Sequence, residues 1–304
     1  MKKSIIVPVY NEEGNIGELI DKISLNISKE DEIIIVNDGS IDNTEAEIKT
    51  KNCILISLEK NMGKGFAMRA GIKRAQGDFI VFMGGDGQDN PEEIPDLYNL
   101  IISENYDLVS GWKKKRHDPI SKTLPTKLFN WATRKMSGIH LHDFNCGLKA
   151  YKHDVVKAVE VYGEMHRYIP VLAKNAGFNK IDEKIVAHQA RKYGVTKFGI
   201  DRFINGFLDL ITIWFLSKFG KRPMHLFGLL GTLMFFIGLC FSFYLGIDKL
   251  FFNTTGRLIT ERPQFYLALV TMIIGTQFFL AGFLGEIILR TKNNEERYKV
   301  SEEI

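Results

Sequence analysis

The feature that most constrains this chain lies in its last third. Two long apolar stretches follow Lys221, residues 224–247 and 266–289. The first is interrupted only by His225 and a few small polar residues, and the second is similar, with Glu286 near its end. A helix that crosses a bilayer needs about 20 apolar residues, and uncharged stretches of this length are rare as core helices of small soluble proteins. The reading is therefore two transmembrane helices, at about 224–247 and 265–289, within a segment 223–290. Just upstream, residues 203–219 mix bulky apolar side chains with Asp209 and Lys218, behind Arg202. This pattern fits an interfacial amphipathic helix lying on a membrane, within 201–222.

The first 200 residues read differently. Short, β-branched, nearly continuous apolar runs recur at 5–9, 33–36, 54–58, 79–83 and 108–110, as expected for strands buried on both faces. Helical patterns at 16–27, 66–75 and 91–102 lie between them, and Asn90 before Pro91 is a cap followed by a first-turn proline. Strands alternating with helices predict an α/β domain with an open, mostly parallel, Rossmann-like sheet over 1–200. The remaining 291–304 is a polar tail. Cys53, Cys146 and Cys240 are widely spaced and odd in number, so no disulfide framework or zinc site is expected. The apolar run at 5–9 is too short for a secretory signal and meets Asn11, Glu12 and Glu13 at once. A net charge of +4 gives no reason to expect nucleic acid.

In an open parallel sheet, ligands bind beyond the carboxyl ends of the strands. Polar clusters fall at three such ends: Pro8, Val9, Tyr10, Asn11, Glu12, Glu13 after the first strand; Asn37, Asp38, Gly39, Ser40 after the second; and Gly84, Gly85, Asp86, Gly87, Gln88, Asp89 after the fourth. Asp38 can accept hydrogen bonds from a base or ribose. Asp86 and Gln88 offer hard oxygen ligands to Mg²⁺ or Mn²⁺, which would offset charge on a leaving nucleotide. Lys64, between Gly63 and Gly65, offers an ammonium group to an anion, although Gly-Lys-Gly is often an ordinary loop.

VPVYNEE, VNDGSIDNT, NMGKGFAMRAG and GGDGQDNPEEIP, in this order, resemble glycosyltransferase family two. HDFNCGLKAYKHDV and RKYGVTKFG, followed by two spans, resemble its polyprenyl-phosphate branch, which includes dolichol-phosphate mannose synthases and GtrB-type enzymes. The resemblance implies a family A glycosyltransferase fold and an inverting, metal-dependent transfer at the cytoplasmic membrane face. The donor would be a UDP- or GDP-linked sugar and the acceptor undecaprenyl or dolichyl phosphate. Carried over by position, it implies nucleotide binding by Pro8, Tyr10, Glu12 and Asp38 and metal binding by Asp86 and Gln88; Asn11, Lys64, Gly84 and Gly85, in the same edge loops, are expected to complete the donor site. It also implies an acceptor-phosphate set of Lys113, Lys149, Arg167, Arg191 and Lys197. Asp86, Lys149, Arg191 and Lys197 stand as catalytic positions, with Asp143 the candidate if a base is needed.

One departure stands out: the family's Asp-x-Asp begins here with Gly84. An active enzyme with an altered metal site is the favoured reading, because the phosphate-gripping positions are kept. A catalytically impaired, nucleotide-binding membrane scaffold is the alternative. A polysaccharide synthase of the same superfamily is another, though its Gln-x-x-Arg-Trp motif is absent. The run Lys113, Lys114, Lys115, Arg116 is open between acceptor binding, attraction to anionic headgroups and a solvated surface. His140 and His142 read as packing or surface residues. Basic residues near the span ends bias both termini weakly toward the cytoplasm. Gly228, Gly231 and Gly238 would allow close helix packing, including in a homo-oligomer.

Overall fold

The computed structural model describes residues 1–114, 120–159, 167–187, 189, 208, 211, 212, 215, 218, 219, 222–252, 255, 256 and 258–292. The chain divides into two units, Met1–Trp214 and Phe215–Ile304.

The first unit is built on a seven-stranded sheet, β1 (Lys3–Val9), β2 (Glu32–Asn37), β3 (Ile54–Ser57), β4 (Phe79–Phe82), β5 (Leu108–Trp112), β6 (Lys149–Lys152) and β7 (Ile181–Ile185), in the order β3-β2-β1-β4-β6-β5-β7. All neighbours run parallel except β6, which is antiparallel to both β4 and β5. The carboxyl ends of six strands therefore share one edge with the amino end of β6. The five apolar runs form β1 to β5. β6 and β7 escape the apolar-run criterion: β6 begins and ends in lysine, and β7 reads Ile-Asp-Glu-Lys-Ile.

Alternate residues of each strand feed opposite faces. Ile5, Val7, Val9, Val81 and Val109 pack with α1 (Ile16–Leu25) and α4 (Ile94–Ser103), while Ile48 of the short α2 (Thr44–Lys49) joins them. Ile6, Ile34, Val36, Ile80 and Leu108 pack on the other side with α3 (Lys64–Arg74), α6 (His153–Ala158) and α7 (Ile169–Asn175). A third cluster, Ile139, Leu141, Phe144, Tyr168 and Val171, takes up Phe129 and Ala132 of α5 (Ile120–Ser137). The Asn90 cap is present: its side chain accepts from the Glu92 amide, over a 3₁₀ turn that leads into α4.

The second unit holds α8 (Pro223–Ile247) and α9 (Pro263–Lys292). Both are long and apolar enough to cross a membrane, and only 17% of each apolar window is buried within the molecule. The core helix of a soluble protein would be mostly covered, so this exposure favours lipid as the solvent. The two helices pack antiparallel on a glycine seam. A Cβ at Gly231 would stand 2.5 Å from the Gly275 carbonyl oxygen, and one at Gly238 2.6 Å from that of Ala268. The amide nitrogen of Gly228 is likewise met by Gly282. These glycines join two helices of one chain. An Asp248–Arg262 ion pair of 2.6 Å closes the connection between the helices.

Replacing Gly231 by Val forces apart backbones already in contact and is expected to cost about 1–3 kcal/mol. Thermal unfolding of the full chain in detergent measures it. Gly246→Val, where a Cβ meets nothing within 4 Å, is the near-neutral control.

Candidate active site

The loops at the common edge tie one another in place. Asn11, at φ 51°, donates its amide to Ser40 Oγ at 2.9 Å and accepts from the Ile41 amide at 2.9 Å. The Glu12 amide donates to Thr44 Oγ1 at 2.8 Å, and its carboxylate accepts from Asn15 Nδ2. The loops after β1 and β2 thus form one ledge, with Pro8 at the end of β1 and half-buried Tyr10 just beyond it. Asp38 is buried, and its two carboxylate oxygens accept the amides of Met62 (2.8 Å) and Gly63 (2.9 Å). It therefore fixes the turn that sets Lys64 at the start of α3.

The centre of the edge is Asp89, a residue the sequence reading passed over as part of a polar run. It is 4% exposed. One oxygen lies 2.7 Å from Lys113 Nζ, just past β5, and the other accepts the Gly84 amide at 3.0 Å. Burial alone would raise the Asp89 pKa, but the Lys113 charge, that hydrogen bond and the Gly84 amide hold it below the ordinary carboxylate value. Burial alone would lower the Lys113 pKa, and the same carboxylate raises it instead. Gly147 lies against this pair: a Cβ there would come 2.8 Å from Asp89 Oδ2.

Lys149, expected to grip phosphate, has its ammonium turned inward. It is buried and donates to the carbonyls of Phe144 (3.0 Å) and Cys146. Burial lowers its pKa to about 8 and pushes the neighbouring Cys146 thiol up to about 12. In this conformation Lys149 pins the 144–146 loop beside Asp89. Likewise, Lys113 is engaged with Asp89 rather than displayed. Asp143 is 2% exposed and accepts the Asn145 amide at 3.0 Å, so it is set within the loop instead of facing solvent as a base would. His142 is stacked on Trp112 with ring centroids 4.1 Å apart and pairs with Glu183.

Asp86 is half-buried in the same acidic loop, and one of its oxygens accepts the Gln88 amide at 3.2 Å. Among the described residues no group of three or more His, Cys, Asp or Glu side chains converges on a metal position. A Cβ built at position 84 would lie 3.2 Å from both Asp86 Oδ1 and Asp89 Oδ2, so any side chain there would press on both carboxylates. Asp86 and Gln88 still suit Mg²⁺ or Mn²⁺, since such ions are often held by one or two carboxylates together with substrate phosphates and water.

Chain segments beyond the sheet reach this loop. The Gln189 amide donates to the Gln88 carbonyl at 3.0 Å, and the Ala187 amide to Glu93 at 3.0 Å. Arg191 and Lys197 follow but lie outside the described residues, as do Lys115, Arg116, Glu164 and His166. Arg167 is half-buried ahead of α7.

A carboxyl group with a depressed folded pKa stabilises the fold above its unfolded pKa and loses that contribution as pH falls through the folded value. Asp89 is such a group. Between about pH 2 and 5, unfolding free energy should rise more steeply in the native chain than in Asp89→Asn. Denaturant unfolding of both across this range checks it, and equal slopes would remove Asp89 from the account.

The family model for "Glycosyl transferase family 2" matches residues 4–159. Dodecaprenyl-phosphate galacturonate synthase of Rhizobium johnstonii is 34% identical, covering 96% of this chain and 88% of its own length. Undecaprenyl-phosphate 4-deoxy-4-formamido-L-arabinose transferase of Proteus mirabilis is 32% identical, covering 96% and 90%. Among solved structures, glucosyl-3-phosphoglycerate synthase from Mycobacterium tuberculosis, crystallised with Mn²⁺, UDP and glucosyl-3-phosphoglycerate, superposes with a TM-score of 0.57 at 21% identity, over 71% of this chain and 79% of its own. Its likeness establishes the sheet architecture. Together with the acidic loop at the carboxyl edge, these matches show that the chain belongs to glycosyl transferase family 2.

Proposed function

We propose that this chain transfers a sugar, with inversion, from a UDP- or GDP-linked donor to a polyprenyl phosphate at the cytoplasmic face of a membrane. The observation that carries the reading is the pairing, in one chain, of a family 2 acidic loop with two apolar helices. The likeness over nearly the whole chain to relatives named for dodecaprenyl- and undecaprenyl-phosphate supports it.

The chemistry follows from charge. A phosphate monoester is largely dianionic near neutral pH, its second pKa being about 6, so it attacks an anomeric carbon without a protein base. This agrees with the burial of Asp143. The protein must hold two anions in line, and positioning and fixed charge are its main tools. Lys113, Lys64 and Lys149 place cationic charge around Asp89. Asp38 and Asn11 shape the ledge for the nucleoside. Arg191 and Lys197, which match phosphate-gripping positions of the family, would meet the phosphates. Asp86 and Gln88 would hold a divalent ion, which when bound supplies positive charge to the departing diphosphate. A hairpin of two spans returns the chain to the side it left, so 1–200, the interfacial segment 201–222 and the tail 291–304 would all lie in the cytoplasm, with 223–290 in the bilayer.

The test is transfer of label from a panel of UDP- and GDP-linked sugars to undecaprenyl phosphate by the full chain in nanodiscs. Label should enter the lipid phase with one donor and inverted configuration, be abolished by EDTA, and fall at least about 100-fold in Asp86→Ala. Gly84→Asp should tighten Mn²⁺ binding in the presence of the nucleoside diphosphate, read by electron paramagnetic resonance. Nucleotide binding without transfer from any donor would sink the enzymatic reading in favour of a scaffold.

A further inference from the structure

In the acidic loop, Gln88 has both of its backbone groups in use. Its amide donates to Asp86 Oδ1 at 3.2 Å, and its carbonyl accepts the Gln189 amide at 3.0 Å. Gly87 before it makes a tight turn at φ 69°, a conformation glycine adopts without strain. The direction of the Gln88 side chain is therefore set by that turn and those two bonds. Gln189 belongs to the chain that leaves β7, and a single side chain holds that chain against the loop. Glu93 stands where the 3₁₀ turn after Asn90 passes into α4. Its Oε1 accepts the Ala187 amide at 3.0 Å and its Oε2 the Lys184 ammonium at 2.5 Å. Lys184 Nζ also reaches Asp96 Oδ2 at 2.6 Å, and the Val186 amide donates to the Trp112 carbonyl at 3.1 Å.

An acid in the first turn of a helix is ordinarily a partner of the helix dipole. Glu93 does more than that. Its side chain is only 16% exposed, and both oxygens are taken by residues beyond the sheet. We propose that Glu93 is a positioning residue for the metal-binding loop. By holding Lys184 and Ala187 it sets the Gln189 amide on the Gln88 carbonyl, and so aims the Gln88 side chain. The inference rests on the reading of Asp86 and Gln88 as ligands for Mg²⁺ or Mn²⁺. Groups that orient a ligand from behind are worth about 10–100-fold in metal affinity.

The test is Mn²⁺ binding to the full chain in detergent with UDP or GDP present, read by electron paramagnetic resonance of the free ion. Glu93→Ala should raise the Mn²⁺ dissociation constant about 10-fold. Glu93→Gln keeps an oxygen for the Ala187 amide and should return the constant to within about 3-fold of native. In a Gln88→Ala background, Glu93→Ala should add less than about 2-fold, because the group it aims is gone. Lys184→Met removes the cation that orients the Glu93 carboxylate and should cost about 3-fold, which supplies the readout if Glu93→Ala does not fold. A native constant in Glu93→Ala, or in Lys184→Met where that variant stands in, would overturn the proposal and leave the metal reading intact. Glu93→Gln as weak as Glu93→Ala would also overturn it, by showing that the carboxylate acts through its charge alone. So would effects that multiply in full when Glu93→Ala and Gln88→Ala are combined. A native chain that binds no Mn²⁺ with either nucleotide would remove the metal reading and the proposal together.

Discussion

Asp89 and Lys113 form the ion pair on which the catalytic edge depends. Taking two charges out of water costs several kcal/mol per ion, repaid only when geometry is good and remaining lone pairs are used. Here the second Asp89 oxygen takes the Gly84 amide, and glycine at 147 allows the approach. The pair links the ends of β4 and β5, while Lys149 holds the loop before β6 beside it. Asp86 is left in the same loop with a carboxylate oxygen not taken up by the Gln88 amide. One buried carboxylate fixes the loop, and a half-buried one is left for the ligand.

That division gives Gly84 a physical meaning. With an aspartate at 84, three carboxylates would crowd within a few ångströms, a spacing that favours a tightly held cation. With glycine, the position contributes only its amide, to Asp89. The edge then holds its own positive charge in Lys113, Lys64 and Lys149, and the acidic loop is correspondingly less dependent on a resident ion to be stable.

The features legible in the sequence were those written in local periodicity. Five apolar runs became β1 to β5, and the two long apolar stretches became α8 and α9. β6 and β7 were not legible, because the lysines at the ends of β6 and the three consecutive charged residues of β7 look like loop until the neighbouring strands are known. Asp38, Asp86 and Gln88 stood out by position after a strand. Asp89 did not: an acid two residues before a proline looks like helix-cap chemistry, and only burial distinguishes it. Lys149 and Lys113 were recognised by position, but whether a lysine faces a ligand or a carbonyl depends on a loop fixed by distant contacts. Sequence spacing fixes neither direction nor burial.

The central claim is that the Asp89–Lys113 pair holds the acidic loop as a unit. Its most direct test is hydrogen exchange by mass spectrometry on the peptide spanning 82–90, in the native chain, Asp89→Asn, Lys113→Met and the double variant. If the pair acts as a unit, each single change lowers the free energy of local opening by about 3–5 kcal/mol, and the double change costs clearly less than their sum. Additive effects, within about 0.5 kcal/mol, would show that the two side chains act independently and would contradict the account.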